Sequence, residues 1–415
     1  MLKVRVPPGL IHGEVEQGYG PVADAFRANF TERGEIGAAV AVYRDGEKVV
    51  DLWGGYRDGA QRLPWERDTL VNVFSTTKGV ASMAIAVAHS RGLLDYDEEV
   101  ATYWPEFAAN GKQHVTVRQL LSHQAGLAAI DRPLDLDTLA DLDLLADALA
   151  EQAPAWEPGT RHGYHGVTLG WYEGELLRRV DPSGRSLGRF FADEIAAPLG
   201  IEFHLGVPDD LDASRFATVH GYHPAEMLLH LHELPPRFVL AFLNPKSLTG
   251  RSFGNPKLLG VIGNYNRPDV RRLEIPAANG HGHARAVAAA YGAMATGGDR
   301  LGLTPATIAA LTEPARPPTE GLRDQVLHVD TVFSLGYMKP FPRLRFGTSA
   351  GQAFGTPGAG GSFGFADPDA GIGFAYVMNR SGFRLWDDPR EVALRQALYR
   401  GVLGDAPQVL DADRA

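Results

Sequence analysis

The sequence predicts an α/β protein of the α+β type. In this fold an antiparallel sheet, flanked by helices, is formed from the N- and C-terminal segments, and a mainly helical subdomain lies between them. Strand patterns occur near both ends of the 415-residue chain, and amphipathic helical patterns fill most of its middle. We therefore expect a single unit over residues 1–415, with an α/β subdomain at about 1–74 and 276–415 and a helical subdomain at about 75–275.

Local patterns predict the individual elements. GAAVAVYRDGEKVVDLWGG predicts two strands joined at Asp45-Gly46, because this dipeptide favours a tight hairpin turn. GSFGFADPDAGIGFAYVMN predicts a second strand pair around Asp367-Pro368. Residues 230–275 are irregular and too long for a simple turn, so we expect them to form a wall of a binding pocket. Helices are predicted from Ser75 to about Arg91 and over PVADAFRANFTERGE, TVRQLLSHQAG, TLADLDLLADALAEQ, VTLGWYEGELLRRV, LGRFFADEIAAPLG, ARAVAAAYGAMATGG and DPREVALRQALYRGVL.

The composition limits the classes of function. Hydrophobic residues at 44% and charged residues at 22% are typical of a globular protein. The net charge of −10 argues against nucleic acid or an anionic membrane as a partner. The N-terminus has no apolar segment, which indicates a cytoplasmic protein, although a trimmed export signal would leave the same sequence. The absence of cysteine excludes disulfides and thiolate chemistry.

The stretch FSTTKGVASMAIAVAHS places Ser75 three residues before Lys78 at the start of an apolar helix. A serine at such a position often serves only as the N-cap, with the lysine directed to solvent. After Lys78 this helix has no charge before His89, so its first turn is predicted to be buried. Residues at i and i+3 share one helical face, and desolvation lowers the pKa of a lysine enough to make it a base. The pair is therefore a candidate nucleophile and proton acceptor, next to N–H groups that favour an oxyanion.

Three further motifs follow FSTTKG in a fixed order: RGLLDYDEEVATYWPEF, VTVRQLLSHQAGL and WEPGTRHGYHG. Together they resemble the serine β-lactamase and penicillin-binding-protein superfamily, and within it the class-C-like branch that includes the family VIII carboxylesterases. The resemblance extends from about Gly37 to Asn379 and is least clear between about 205 and 270. It implies the β-lactamase/transpeptidase-like fold and a reaction through an acyl-enzyme.

The resemblance implies a role for three residues. Ser75 matches the nucleophile of the family, Lys78 matches the lysine of the same motif, and Tyr164 matches the tyrosine of the second motif. A phenol beside a lysine ammonium can be held partly as phenolate, which would take the proton of the serine and return it to the leaving alcohol. The residues do not distinguish Lys78 from Tyr164 as the formal base, and we expect the two to titrate as a coupled pair. The alternative for Tyr164 is a core aromatic after a Pro-Gly turn.

Two motifs depart from the family pattern. The second motif usually ends in an asparagine that donates to an acylamino side chain, but Gly166 stands there. The third motif is Lys-Thr-Gly in the antibiotic-processing members, and its lysine pairs with a substrate carboxylate. Here the corresponding stretch is Thr356-Pro357-Gly358. The resemblance still implies backbone oxyanion donors at Ser75 and Ala359, and substrate contacts at His165, Thr356 and Gly358.

Two other patterns in the sequence indicate a different nucleophile or a metal site, and both are weaker evidence than the motifs above. Ser252 and Ser362 both lie in Gly-x-Ser-x-Gly motifs, but a nucleophile elbow needs a strand before the serine and a helix after it. Prolines flank the first motif, which shows no helix signal, and strand-like residues follow the second. Six histidines form two clusters in the sequence: His220, His223, His230 and His232, and then His281 and His283. No His-Glu-x-x-His motif accompanies them, so we expect solvated or core side chains and no metal site.

The sequence thus predicts a serine carboxylesterase that acts on esters of small carboxylic acids and needs no cofactor. We expect a small-molecule ester as its partner, with no nucleic acid and no membrane; the oligomeric state is not indicated. A β-lactamase, a D-alanyl-D-alanine carboxypeptidase or an acyltransferase of the same fold stays open. A non-catalytic binding protein is disfavoured by the intact Ser75, Lys78 and Tyr164. Because Gly166 and Thr356 lack both polar contacts to antibiotics, we expect ester cleavage to exceed β-lactam opening.

Overall fold

The structure is a computed structural model that describes residues 2, 4–222, 226, 229–348 and 351–404. Ten strands in these residues form two sheets. The hairpin predicted at Asp45-Gly46 is present, and the two residues adopt the positive φ values, 52° and 85°, that a type I′ turn requires. The strands are β1 (Ile11–Val15), β2 (Gly37–Arg44), β3 (Glu47–Asp58), β4 (Leu63–Pro64), β5 (Val71–Asn72), β6 (Phe203–His204), β7 (His281–Gly282), β8 (Phe354–Pro357), β9 (Phe363–Asp367) and β10 (Ile372–Met378).

The larger sheet joins the two ends of the chain. Its strands follow the order β1-β3-β2-β10-β9-β8, with β4 paired to β3, and all neighbours are antiparallel. At its centre β2 pairs with β10, for example Ala41 with Ala375. The antiparallel sheet predicted from N- and C-terminal segments is therefore confirmed. The smaller sheet has the order β5-β7-β6 and leads into the first residues of the candidate site.

Fifteen α-helices lie within the described residues, and none of them is both long and apolar enough to cross a bilayer. One predicted helix is divided, because the Asp141 side chain accepts hydrogen bonds from two following amides and starts a new helix. The helices are α1 (Gly20–Glu32), α2 (Thr76–Ser90), α3 (Val100–Tyr103), α4 (Val117–Leu121), α5 (Leu136–Ala140), α6 (Leu142–Glu151), α7 (Thr168–Val180), α8 (Leu187–Phe191), α9 (Ala197–Leu199), α10 (Pro236–Phe242), α11 (Leu248–Phe253), α12 (Pro268–Arg272), α13 (Ala284–Ala295), α14 (Pro305–Thr312) and α15 (Pro389–Leu398).

The two faces of the larger sheet contribute to two different cores. Ala39 and Ala41 of β2 belong to the core that includes α2 and α13, whereas Val40 and Val42 belong to the core that includes α1 and α15. This alternation follows from the period of two along a strand. Helix α2 also packs against α7 and α8, so it lies between the sheet and the helical part of the fold. Its N-terminus is thereby held from both sides.

Candidate active site

A tight turn at the start of α2 presents Ser75. The preceding Phe74 has a φ of 47°, a left-handed conformation that is costly for an aromatic residue. The Oδ1 atom of Asn72 accepts a hydrogen bond from the Phe74 N–H at 2.7 Å and holds this conformation. Ser75 is the N-cap of α2, but its side chain makes no capping hydrogen bond. The Ser75 hydroxyl is therefore available to other partners.

Lys78 lies one helical turn further on and is 1% exposed. Its Nζ atom is 3.1 Å from the Ser75 Oγ, and it donates to the carbonyl oxygens of Gly166 at 2.6 Å and Ala277 at 2.9 Å. A neutral amine has two hydrogens and one lone pair. When the two carbonyls accept the hydrogens, the lone pair is left for the proton of the Ser75 hydroxyl.

Burial also sets the protonation state of this amine. Desolvation lowers the pKa of Lys78 from 10.5 to about 7, and the negative charge of the buried Glu173 opposes this shift. Near neutral pH the Lys78 side chain is therefore uncharged in a large fraction of the molecules. A buried amine with this pKa is suited to act as a general base.

Tyr164 lies on the loop before α7 and faces the same two residues. The Lys78 Nζ is 4.7 Å from the centre of its ring, and its hydroxyl shares a hydrogen bond with Ser75. Burial raises the pKa of Tyr164 above its usual value of 10.0, although the bond with Ser75 acts in the opposite direction. The site therefore favours a neutral phenol over the partial phenolate that the sequence allowed. The cause is the desolvation of both groups, so that near neutral pH Lys78 is the one of the two with a substantial deprotonated fraction.

Two backbone amides next to Ser75 are suited to an oxyanion. The N–H groups of Ser75 and Ala359 donate to no protein acceptor among the described residues, and both residues line the same cavity. The loop that carries Ala359 is fixed through the Gly360 carbonyl, which accepts from the Gly382 amide at 2.8 Å and from the buried Arg390 guanidinium at 2.9 Å. These two backbone donors, left without a protein acceptor in the described part of the chain and belonging to residues that line one cavity, form a candidate oxyanion site.

The three residues expected to contact substrate are not among those that line this cavity. His165 is fully buried; its Nδ1 donates to the Gly163 carbonyl and its Nε2 accepts from the Leu127 amide, at 2.7 and 3.1 Å. The Thr356 side chain faces α2, where a Cβ atom at Gly79 would lie 2.8 Å from its Oγ1. Gly358 packs against Ser362 and the Val73 carbonyl. We therefore correct these predictions: strand alternation turns Thr356 inward, while Pro357 and Ala359 line the cavity instead.

The two alternative serines have structural roles. The Ser362 Oγ is buried and donates to the Val73 carbonyl at 2.7 Å, beside the start of α2. Ser252 lies within α11, a helix that the sequence did not predict, and its hydroxyl donates to the Leu248 carbonyl at 2.9 Å. Neither serine stands at a turn between a strand and a following helix. The geometry therefore favours Ser75 over both.

The clustered histidines are spread over separate contacts. Among the described residues no three side chains of His, Cys, Asp or Glu are grouped as a metal site would require. His223 lies outside the described residues. The other ring nitrogens contact nearby groups: His220 the Gly59 amide, His230 Glu233, His232 the Leu229 carbonyl, His281 the Asn279 carbonyl and His283 Glu202.

Two buried carboxylates near the site were not predicted. Asp324 accepts hydrogen bonds from the backbone N–H of Tyr164. Glu173 lies on α7 and accepts from the Ser82 hydroxyl of α2 at 2.6 Å, near Lys78. Asp324 is 160 residues from Tyr164 in sequence, so no spacing motif could have indicated it. Glu173 shares α7 with Glu175, Arg178 and Arg179, so a charged residue at this position gave no distinct signal.

The hydroxyl of Ser75 opens into a cavity of about 390 Å³. Its wall is mostly apolar, and within the described residues Arg384 is the only charged side chain that lines it. The Arg384 Nε donates to Glu233 at 3.0 Å. As predicted, the segment 230–275 forms part of this wall, through Leu234, Phe238, Phe242, Phe253, Ile262 and Tyr265.

Comparison with known proteins agrees with this geometry. The family model described as Beta-lactamase matches residues 22–397. The chain belongs to the Beta-lactamase family. A curated relative, the esterase/beta-lactamase LipL of Mycobacterium tuberculosis, is 35% identical over 376 residues, which cover 89% of this chain and 83% of LipL.

Solved structures give the same result. The crystal structure of a family VIII carboxylesterase superposes with a TM-score of 0.82 at 38% identity and covers 94% of this chain and 99% of that chain. A penicillin-binding-protein homologue from Caulobacter crescentus has a TM-score of 0.80 at 39% identity, with the same coverage of 94% and 99%. The fold and family expected from the motifs are therefore confirmed.

Proposed function

We propose that this protein is a serine carboxylesterase that hydrolyses esters of small carboxylic acids through an acyl-enzyme on Ser75. The observation that carries the proposal is the Lys78 amine, held by two carbonyl oxygens with its third contact, at 3.1 Å, to the Ser75 hydroxyl. Relatives of this family that are described as an esterase/beta-lactamase and as a family VIII carboxylesterase support it. The apolar wall of the cavity also suits a neutral ester.

In the first half of the reaction, Ser75 Oγ attacks the ester carbonyl and its proton passes to the neutral Lys78. The oxyanion accepts hydrogen bonds from the N–H groups of Ser75 and Ala359. The C–O bond to the alcohol then breaks, and the leaving oxygen takes a proton from the Tyr164 phenol, which recovers one from the Lys78 ammonium.

In the second half, water attacks the acyl-enzyme and gives a proton to the neutral Lys78. The bond between the acyl carbon and Ser75 Oγ breaks, the acid departs, and the proton returns to the serine through the same pair. An alcohol in place of water would make the reaction an acyl transfer, so the acyltransferase alternative differs only in the second nucleophile. A β-lactamase is a second candidate, because LipL is described as both and because Arg384 lines the cavity.

The test combines turnover of p-nitrophenyl esters with intact-mass detection of a fluorophosphonate adduct. We expect Ser75→Ala to abolish both turnover and adduct while the protein stays folded. Lys78→Ala and Tyr164→Phe should each lower kcat by several powers of ten, because members of one catalytic unit are strongly non-additive. Ser252→Ala and Ser362→Ala are the matched controls and should keep most activity. An active Ser75→Ala variant, or a wild type with neither turnover nor adduct, would contradict the proposal.

A further inference from the structure

The cavity wall beside Gly166 is occupied by an aromatic ring. A Cβ atom at Gly166 would lie 2.6, 3.0 and 3.1 Å from three ring carbons of Phe253. Carbon atoms in ordinary contact are about 3.5–4.0 Å apart, so no side chain fits at position 166 while this ring is in place. The carbonyl of the same Gly166 accepts the hydrogen bond from Lys78. Gly166 therefore lies between the ring and Lys78, in contact with both.

Polar contacts on either side of Phe253 hold it in this position. Before it in α11, the Thr249 hydroxyl donates to the Val326 carbonyl at 2.8 Å. After it, the Asn255 side chain accepts from the Leu134 amide and donates to the Ile130 carbonyl, both at 2.9 Å. These contacts join α11 to two other segments of the chain. The ring is thus part of the preformed wall.

Phe253 belongs to a three-ring cluster that lines the cavity. Its ring centre is 6.3 Å from that of Phe238 and 6.0 Å from that of Phe242, and the latter two are 5.6 Å apart. All three residues line the cavity that contains Ser75. Such a surface gains free energy by covering apolar groups and offers no hydrogen bond to an amide.

We infer that Phe253 is a specificity-determining residue that makes this side of the cavity an apolar acyl subsite. Its ring takes the space in which a polar side chain at position 166 would grip an acylamino group. The enzyme then selects esters whose acyl group is an alkyl chain or an aryl group, and disfavours substrates that carry an amide beside the scissile carbonyl. This inference rests on the proposed esterase function.

The first test measures kcat/KM for p-nitrophenyl esters from acetate to decanoate, and for phenylacetate. We expect Phe253→Ala to lower kcat/KM for the preferred acyl group by about tenfold and to move the optimum to longer chains, because the removed ring leaves space. Leu240→Ala is the matched control, since Leu240 lies on α10 with Phe238 and Phe242 but is 73% exposed. A Phe253→Ala profile parallel to that of the wild type would overturn the inference and leave the esterase function intact.

The second test is a double-mutant cycle between positions 166 and 253. Gly166→Asn alone should lose at least about tenfold in kcat/KM for butyrate, because the new side chain collides with the ring. Combined with Phe253→Ala, the same change should recover ester turnover and increase the opening of a penicillin that carries an amide side chain. Gly166→Asn with wild-type activity would contradict the inference.

Folding and site integrity are checked separately in this cycle. Far-UV circular dichroism and the fluorophosphonate adduct mass show whether each variant keeps a competent Ser75. Phe253→Leu keeps an apolar side chain of smaller size and should move the optimum in the same direction as Phe253→Ala, but less. If Phe253→Leu binds the fluorophosphonate normally yet leaves the chain-length optimum unchanged, the ring does not set specificity. A wild type that shows neither turnover nor adduct would instead contradict the proposed esterase function.

Discussion

Both carboxylate oxygens of Asp324 accept hydrogen bonds from the backbone N–H of Tyr164, at 3.2 and 3.0 Å. The same carboxylate accepts from the amides of Val326 and Leu327 at 2.8 and 2.7 Å, and it is fully buried. It therefore connects the loop that carries the Tyr164 phenol to the loop 324–327, whose Leu327 lines the cavity. This makes Asp324 a positioning residue for Tyr164, although its side chain does not contact the substrate cavity.

We predict that Asp324→Asn lowers kcat for p-nitrophenyl butyrate by about 10- to 100-fold with little change in KM, because a small misplacement of a catalytic group is costly. The amide retains the shape but offers only one acceptor oxygen to these donors. The control is Asp330→Asn, an exposed aspartate in the same region of the chain. A merely structural role would instead lower the melting temperature and leave kcat per folded molecule unchanged.

The pH dependence of activity should report Lys78. Its pKa of about 7, lowered by burial, means that the neutral base is lost as the pH falls below 7. We expect kcat/KM to fall about tenfold per pH unit on this acid limb and to level off above about pH 8. Because burial raises the pKa of Tyr164, the basic limb should lie above pH 10, the usual value for a phenol. A profile with no acid limb between pH 6 and 8 would argue against Lys78 as the base.

The buried amine should also cost stability. The unfolded chain holds the Lys78 proton up to about pH 10.5, whereas the folded protein releases it near 7, so this residue makes stability rise with pH between those values. We predict that Lys78→Met is inactive but more stable than the wild type at pH 8, on the order of 1–3 kcal/mol after the loss of two hydrogen bonds. Urea denaturation should show this difference shrinking towards pH 10. A constant difference across that range would exclude a depressed pKa.

Glu173 provides a finer test of the same electrostatics. Burial raises the pKa of Glu173 to about 8, and its negative charge raises the pKa of Lys78. A carboxyl with this pKa is largely protonated on the acid limb below pH 7, so Glu173→Gln removes little charge there and should move the acid limb of kcat/KM only slightly to lower pH. Glu175→Gln is the matched control, since it lies on the same helix, is also buried and pairs with Arg178 and Arg179 instead. Equal shifts in the two variants would contradict a direct effect of Glu173.

The parts of the site predicted from the sequence are those fixed by short spacing or by a motif. Ser75 and Lys78 are one helical turn apart, so a single apolar helix sufficed to place them together. Tyr164 was identified by the motif around it. The Thr356 side chain was assigned to the substrate, but its direction depends on strand register, which the motif does not encode. A one-residue alternation therefore separates Thr356 from Pro357 and Ala359, which line the cavity.

Long-range contacts account for what the sequence did not predict. Asp324 reaches Tyr164 through a loop contact that has no periodic signal. Phe253 lies in a segment rich in proline, glycine and asparagine, where α11 is only six residues long and is started by the Ser247 side chain. Hydrophobic periodicity needs a longer window than this to indicate a helix. This part of the cavity wall was thus predicted as a segment but not as individual residues.

Gly79 of α2 should tolerate no larger residue. Replacing a helical glycine by alanine usually stabilises a protein by about 0.5–1 kcal/mol. At Gly79, however, a Cβ would lie 1.9 Å from the Tyr291 hydroxyl. We predict that Gly79→Ala destabilises the fold and lowers activity, whereas Gly174→Ala on α7, where the nearest atom is 3.9 Å away, is stabilising. Thermal unfolding of both variants checks this, and a stabilised Gly79→Ala would contradict the packing described for Tyr291 and Thr356.

The choice between ester and β-lactam substrates should depend on Arg384. Thr356 faces α2 and Phe253 fills the space at Gly166, so neither usual contact to an antibiotic is made. Arg384 is a cation in the cavity wall, but Glu233 pairs with its Nε at 3.0 Å and reduces its attraction for a substrate carboxylate. Losing both usual contacts corresponds to about 3–5 kcal/mol of transition-state binding.

We therefore predict that kcat/KM for p-nitrophenyl butyrate exceeds that for lactam opening of a chromogenic cephalosporin by at least about a hundredfold. Glu233→Gln frees the Arg384 guanidinium and should increase lactam opening several-fold, while Arg384→Ala should lower it and spare ester cleavage. Arg384→Lys is the control that keeps the charge but loses the fork geometry of the guanidinium. Opening is followed at the lactam chromophore, because cleavage of a side-chain ester would imitate turnover. Lactam opening as fast as ester cleavage in the wild type would contradict the esterase assignment, and its loss in Arg384→Ala would then identify Arg384 as the carboxylate-binding residue.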